Sequence, residues 1–325
     1  MSKYFKYIVS FLVFVLILSG VIVYKNLAYS SQNNNSVKTK VRIGVLNLTA
    51  AAPYFVAKNQ GLFEKENIEV EEKSFTTSNL VVESIIKGEV DIAFYSTPQA
   101  ALPANQISPG KFKIFTTPKN NPNSSDSVIV KSNSTIANLT DLKGKKVGVF
   151  PGSTGSNLFR SYFKNKNLSL DGIEFIQLAP ADQLGALEAS SIDALFSYEP
   201  ILTTALQTKN YRKISETIIY EDQDNPVGLG LISTNFIQKS PQDAKKVVAV
   251  FDQSQDFISS NDTKTREILA QNFKLKPAIA NNMNYIKWGK NSDLDSVKLQ
   301  SYADFLMNLG DIKDSVNIKD LVYKI

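Results

Sequence analysis

Hydrophobic and polar positions follow a repeating order from residue 41 onward. VRIGVLN reads as a strand that breaks at Asn47-Leu48-Thr49, and residues 50–59 (AAAPYFVAKN) suit a helix with Pro53 near its start and Gly61 at its end. Residues 68–75 alternate into a second strand, and Thr76-Thr77-Ser78 offers an N-cap cluster. A helix over 80–87 stops at Gly88, and residues 90–95 (VDIAFY) form a third strand. Alternation of this kind predicts an open, mostly parallel α/β sheet with right-handed crossovers.

The same order then returns. GEVDIAFYSTPQAAL at 88–102 has a counterpart in SSIDALFSYEPILTTAL at 190–206, which aligns Asp91 with Asp193, Phe94 with Phe196 and Pro98 with Pro200. Gly44 and Gly148 stand at similar distances upstream, so two α/β lobes of about one hundred residues each are expected. A polar loop at 120–126 (NNPNSSD) leads into the extended run SVIVK at 127–131, and GLGLIS at 228–233 supplies a matching return. Two such crossings imply a second lobe (131–232) inserted within a first (41–130 and 233–325), with the two strands acting as a hinge. Apolar residues at helical intervals over 243–259 and 299–309 predict helices that pack back on the first lobe.

One junction carries chemistry of its own. VGVFPGSTGS at 147–156 runs from strand through a Pro-Gly turn to the start of a helix, where free backbone N–H groups and the helix dipole favour an anionic or strongly polar group. A P-loop reading fails, because Ser156 stands where the phosphate-gripping lysine belongs. Arg160, one turn further on, either completes an anion site or pairs with an acid on the surface.

Ahead of the lobes, Lys3 and Lys6 precede an uncharged run over 7–24, followed by Lys25. Its 18 residues suit either a signal-peptide core or a membrane span, with a cleavage site possible before Ser31. An uncleaved anchor is favoured, with the N-terminus cytoplasmic and the rest outside. Residues 31–40 (SQNNNSVKTK) read as a flexible linker with a mean reach of roughly 17 Å.

Composition narrows the chemistry. The formal charge of +5 owes three lysines to residues 1–30, and beyond them 33 basic and 31 acidic residues nearly cancel. No run of four or more Lys/Arg occurs, which argues against a nucleic-acid partner. There is no cysteine and no histidine, so thiolate nucleophiles, disulfides, lipid attachment and the commonest metal ligand and general base are all absent. Enzymatic function is weakened without being eliminated.

Taken together, VRIGVLN, AAPYFVAKNQGLFEKENIEVE, GEVDIAFYSTPQAAL, LKGKKVGVFPGSTGSN, IDALFSYEP and LQSYADFLMNLGDIK resemble the extracytoplasmic solute-binding proteins of ABC importers. The branch is the NMT1-like one that handles nitrate, taurine, alkanesulfonates and thiamine-pyrimidine precursors. The resemblance runs from about residue 41 to the end. It implies a two-lobe periplasmic-binding-protein-like fold of type II, closure on a small solute, docking on a membrane permease, a monomer and no cofactor or metal.

Ligands in such sheets bind beyond the C-terminal strand ends. The candidate contacts are therefore Asn47, Thr49 and Tyr54 after the first strand, and Thr76, Thr77 and Ser78 after the second. Tyr95, Ser96 and Thr97 follow the third, with Gly152, Ser153, Thr154, Ser156, Tyr198 and Glu199 from the second lobe. Each hydroxyl serves equally as a simple helix cap. By the resemblance, Glu199 faces the cleft and takes a cationic or N–H-rich part of the solute; otherwise it is an exposed loop acid. Tyr95 and Tyr198 suit the walls of a planar or alkyl group. Asp91 and Asp193 lie at strand starts, away from the cleft, where backbone bonding is their expected work. Sulfonate, taurine-like zwitterion and pyrimidine all remain open as solutes. Two alternatives stand beside transport. One is an enzyme on the same frame, although the related pyrimidine synthases depend on histidine and pyridoxal phosphate; the other is a surface sensor, disfavoured because only about seven residues precede the span.

Overall fold

Strand β1 (Thr39–Leu46) carries Val41, Ile43 and Val45 into the core, and its Gly44 leaves room for Phe75, Val81 and Val90, whose carbons lie 3.0–3.3 Å from where a Cβ would stand. The computed structural model describes residues 38–119, 125–151, 153–216, 218 and 228–325, and residues 40–325 form one compact unit. The predicted span over 7–24 and most of the linker lie outside the described residues. The linker ends earlier than expected, since Thr39 and Lys40 already belong to β1.

After β1 the chain forms α1 (Ala52–Asn59), with proline in its first turn, and then α2 (Leu62–Lys65), β2 (Ile68–Phe75) and α3 (Ser78–Ile86). The Thr77 hydroxyl accepts from the Leu80 N–H and caps α3 as its sequence suggests. Strand β3 (Ile92–Ser96) is buried at every position, as a strand inside a sheet covered on both faces must be. It is followed by α4 (Pro98–Ile107) and β4 (Phe112–Thr116).

The second sheet begins with β5 (Asp126–Lys131) and continues through β6 (Lys146–Val149), α5 (Ser153–Asn165), β7 (Glu174–Gln177), α6 (Pro180–Glu188), β8 (Ala194–Tyr198), α7 (Ile201–Gln207) and β9 (Tyr211–Lys213). The chain then rejoins the first sheet as β10 (Leu229–Ser233). Helices α8 (Thr234–Lys239), α9 (Pro241–Ser260), α10 (Asp262–Phe273), α11 (Pro277–Asn282) and α12 (Ser296–Leu309) complete the described part.

The sheets have matching orders, β2-β1-β3-β10-β4 and β7-β6-β8-β5-β9. In each, the two central strands from the β–α repeat are parallel (β1 with β3, β6 with β8). The next two strands run antiparallel to their neighbours. Register confirms the internal repeat: Gly44 pairs with Ala93 and Gly148 with Leu195, each two residues past the aligned aspartate.

The lobe boundaries need correction. The run at 127–131 is not a crossing but part of β5, hydrogen-bonded between β8 and β9. Likewise 229–233 is β10, seated between β3 and β4. The second sheet therefore starts at Asp126 rather than 131, and the first resumes at Leu229 rather than 233. An extended apolar run looks the same whether it crosses or pairs, and only its hydrogen-bond partners distinguish the two.

Aromatic clusters sit within the packing against both sheets. Phe94 stacks on Phe251 of α9 with centroids 4.4 Å apart, and Trp288 and Phe115 lie at 4.6 and 6.2 Å. In the second lobe, Phe159 meets Phe196 at 5.1 Å and Phe163 at 5.3 Å. Helix α12 is capped by Asp295, ends at left-handed Gly310 and packs with Phe112, Ile114 and Leu229 in one apolar cluster, so the C-terminal helices do return to the first lobe.

Candidate functional site

The C-terminal ends of the parallel strands face one another across a partly open cleft. Leu48, Thr49 and Ala50 follow β1, Ser78 opens α3, and Tyr95 and Thr97 end β3. Opposite stand Ser125, Phe150, Leu158, Tyr198 and Glu199 from the second lobe, while Asn284, Tyr285 and Ile286 close one side.

Tyr95 turns into this cavity with a left-handed backbone, φ +62°, an uncommon state for a residue with a side chain. Gly228 makes the turn possible, because a Cβ there would stand 2.7 Å from Tyr95 Cε2. Trp288 abuts the same ring at 5.9 Å, edge to face. Across the cleft, Phe150 and Tyr198 meet edge to face at 6.3 Å. The Tyr198 hydroxyl oxygen is enclosed and has no hydrogen-bond partner among the described residues. Burial first, and then the charge of Asp126, holds the phenols of Tyr95 and Tyr198 protonated far above neutral pH.

Hydrogen bonds organise the polar lining. Ser78 Oγ accepts from the Thr97 N–H at 2.7 Å and from its hydroxyl at 3.1 Å, tying the β3 loop to α3. The Glu199 carboxylate, 7% exposed, accepts from the Thr203 N–H (3.0 Å) and hydroxyl (2.9 Å) and from the Asn284 N–H (3.3 Å). Thr49 Oγ1 donates to the Glu199 carbonyl at 3.2 Å. These last two contacts join the lobes across the cleft. Burial raises the Glu199 pKa despite the bonds from Thr203 and Asn284 and the distant charge of Lys213.

Six expected contacts thus line the cavity: Thr49, Ser78, Tyr95, Thr97, Tyr198 and Glu199. Others do not. Tyr54 is fully buried in α1, packed on Phe55 and Phe63, with its hydroxyl donating to Glu72. Its place on the apolar face of the helix, not near the loop, decides this. Asn47 and Thr76 are exposed beside the cavity, Thr77 is spent on its cap, and Ser96 sits at 0% exposure with its hydroxyl on the Leu229 carbonyl. Ser156 lies half-buried on α5 outside the lining. Gly152 falls outside the described residues, as do the side chains of Ser153 and Thr154, which begin α5. Arg160 is exposed and bonds Asn157. Asp91 and Asp193 do bond backbone at the far sheet edge: Asp91 Oδ2 accepts from the Arg42 N–H at 2.9 Å and Asp193 Oδ2 from the Lys146 N–H at 2.8 Å.

Sequence reasoning missed Leu48, Ala50, Ser125, Phe150, Leu158 and the 284–286 segment. The last has no local signal, being brought to the cleft by the packing of Trp288 on Phe94 and by the bond from Trp288 Nε1 to the Ala50 carbonyl.

Two like-ordered sheets, joined by two chain passages and facing each other across a cavity at their strand ends, define the periplasmic-binding-protein fold. The alkanesulfonate-binding protein SsuA from Xanthomonas axonopodis pv. citri, solved with MOPS bound, shares it: the TM-score is 0.75 at 19% identity, over 89% of this chain and 100% of that one. The periplasmic nitrate-binding protein NrtA from Synechocystis PCC 6803 superposes with a TM-score of 0.68 at 16% identity, over 87% and 84%. Within that class the chain belongs to the NMT1-like family, whose model matches residues 34–273. A Bacillus subtilis (strain 168) protein named for binding aliphatic sulfonates is 26% identical over 291 residues, covering 87% of this chain and 85% of that protein. One of Brucella abortus (strain 2308), named only as a binding protein, is 25% identical over 278 residues, 82% and 84% of the two chains.

Proposed function

We propose that this chain is the solute-binding component of an ABC importer, capturing a small polar molecule between its lobes and delivering it to a membrane permease. The observation that carries this reading is the cleft walled by both sheets at their strand ends, lined by Tyr95 and Tyr198 and by Thr97 and Glu199, the last two from equivalent places in the two halves. Family membership and relatives named for binding support it. Sulfonate, taurine-like and pyrimidine-type molecules are the solute classes to test.

Closure follows from differential affinity: a solute that touches both walls binds the closed form more tightly and shifts the population toward it. Contacts such as Thr49 to the Glu199 carbonyl then add to the closed state alone. The protein acts by reversible capture rather than catalysis, as a monomer. It is held outside the cytoplasm by its N-terminal apolar segment. Among the described residues no helix is long and apolar enough to cross a membrane; the anchor proposed here is the uncharged run over 7–24 read from the sequence. Ser153 and Thr154 remain proposed contacts through the start of α5.

Calorimetry and small-angle scattering of the purified protein test the reading. Heat and compaction are expected with one of these solute classes, and a protein that neither binds nor compacts with any of them rules it out.

A further inference from the structure

The wall at 284–286 is held from outside the cleft. Arg266, half-buried on α10, donates through Nη1 to the Ala280 carbonyl at 2.8 Å and to the Met283 carbonyl at 2.7 Å, the one in the last turn of α11 and the other just past it. Carbonyls at a helix end lack partners within the helix, and a cation there also meets the negative end of its dipole. Arg266 Nε donates to Asp262 Oδ2 at 2.7 Å, and the other oxygen of that carboxylate accepts the Tyr285 hydroxyl at 2.7 Å. The Tyr285 ring lies under the guanidinium, its centre 5.3 Å from Cζ. Against the opposing effect of burial, the Tyr285 hydroxyl and then Arg266 hold the Asp262 carboxyl below the usual carboxylate range.

Neither Arg266 nor Asp262 lines the cleft, but Asn284, Tyr285 and Ile286 do. The same piece of chain is where the lobes meet. In a continuing helix the Asn284 N–H would bond the Ala280 carbonyl. Instead Met283 leaves the helix with extended backbone, φ −68° and ψ 147°, Arg266 takes the Ala280 carbonyl, and the Asn284 N–H reaches Glu199 Oε1 of the second lobe at 3.3 Å. Gln207 of α7 adds a second bond between the lobes, from its Nε2 to the Ala278 carbonyl at 2.8 Å. Behind this segment α10 is fixed to the first lobe, with Phe273 edge to face on Phe55 of α1 at 5.0 Å. A planar guanidinium serves carbonyls and a carboxylate at once while stacking on a ring, which an ammonium on a flexible stem does not.

We propose that Arg266 is a positioning residue for solute capture: by fixing the end of α11 to α10 it sets where Asn284 meets Glu199, and so how tightly the closed cleft holds its solute. This rests on the cleft being the solute site.

The test sets Arg266→Ala against Arg42→Ala, which removes a guanidinium bonded to Asp91 at the end of the first sheet away from the cleft. Each full-length variant is melted, titrated by calorimetry with taurine, ethanesulfonate and cytosine, and followed by hydrogen exchange without solute. Both substitutions are expected to lower the melting temperature. Only Arg266→Ala is expected to weaken the probe that the parent binds best, by about five-fold or more, and to speed exchange both at 284–286 and across the cleft at 199–207, while Arg42→Ala leaves affinity within about two-fold. Asp262→Asn, at an exposed position, gives a second reading should Arg266→Ala fold poorly, and is expected to weaken the same probe by about two-fold or more. Unchanged affinity in the variants at 266 and 262, or equal weakening by Arg42→Ala, overturns the proposal while leaving solute capture intact. If the parent binds none of the probes, capture of these solute classes fails and exchange decides the proposal separately: acceleration confined to the first lobe overturns it, and acceleration that reaches 199–207 upholds it.

Discussion

Asp91 and Asp193 hold the same place in the two halves, yet they are bonded very differently. Both accept a backbone N–H of the neighbouring strand, from Arg42 of β1 and Lys146 of β6 respectively. Asp91 also receives the Arg42 guanidinium through Nε at 3.0 Å and Nη2 at 2.6 Å, whereas Asp193 is exposed and, among the described residues, bonds the Lys146 N–H. The contrast recurs at the cleft. Thr77 and Ser78, fourteen and thirteen residues before Asp91, are matched by Ala179 and Pro180 before Asp193. In the first half, Ser78 pins the loop after β3 by accepting the Thr97 N–H. In the second, Pro180 has no hydroxyl to offer, and Glu199, the counterpart of Thr97, anchors its own loop by reaching Thr203 and Asn284. One topology thus supports two ways of fixing a wall: a neutral hydroxyl within one lobe, and a carboxylate bridging both. The bridging wall is the one that can sense closure.

The largest test of this comparison is the paired truncation of the aligned core rings. Phe94→Ala and Phe196→Ala should each cost about 3–5 kcal/mol in urea unfolding, with Phe94 the greater because Phe251, Trp288 and Phe115 all pack on it. Equal losses would mean the C-terminal segment adds nothing to the first core. Next, Asp91→Ala should cost about 2–3 kcal/mol, since it strands the guanidinium and a backbone donor, against about 0.5–1 kcal/mol for Asp193→Ala. Matching costs would remove the asymmetry.

Capping offers a smaller, reciprocal exchange. Thr77→Ala should lose about 1 kcal/mol, and Ala179→Thr, placed on an extended backbone at φ −60° and ψ 147°, should gain roughly half as much in thermal unfolding. No gain at 179 would show that Pro180 already sets that helix start by itself.

The finest test uses pH. Burial holds the Glu199 pKa above the ordinary carboxylate value, so its ionised form is the costly one in the folded protein. Its contribution is complete below the ordinary value and is lost as pH rises through the raised one. Glu199→Gln does not titrate. Its melting temperature should therefore improve relative to the parent as pH rises from the ordinary carboxylate value through the raised one. A constant difference would show that the carboxylate keeps one protonation state throughout.

Local chemistry was sufficient for much of the fold. Alternation marked β2 at 68–75, the Thr77 cap and Gly88 bracketed α3, and a helical apolar period identified α9 and α12. Repetition of the aspartate, phenylalanine and proline spacing revealed the two halves, because strand register and helix entry are set within a few residues. Six of the cleft's lining residues followed from the rule that strand C-termini face ligands.

Long-range packing decided the rest. Whether 127–131 crosses or pairs depended on β8 and β9, some seventy to eighty residues away in sequence. Tyr54 was lost to the core because the turn of α1 aims it at Glu72, and the wall at 284–286 arrived only through Trp288 on Phe94. Every hydroxyl in a helix-start motif has the same local appearance, whether it serves a solute or its own backbone, and the two fates separate only when the partner's position in space is known.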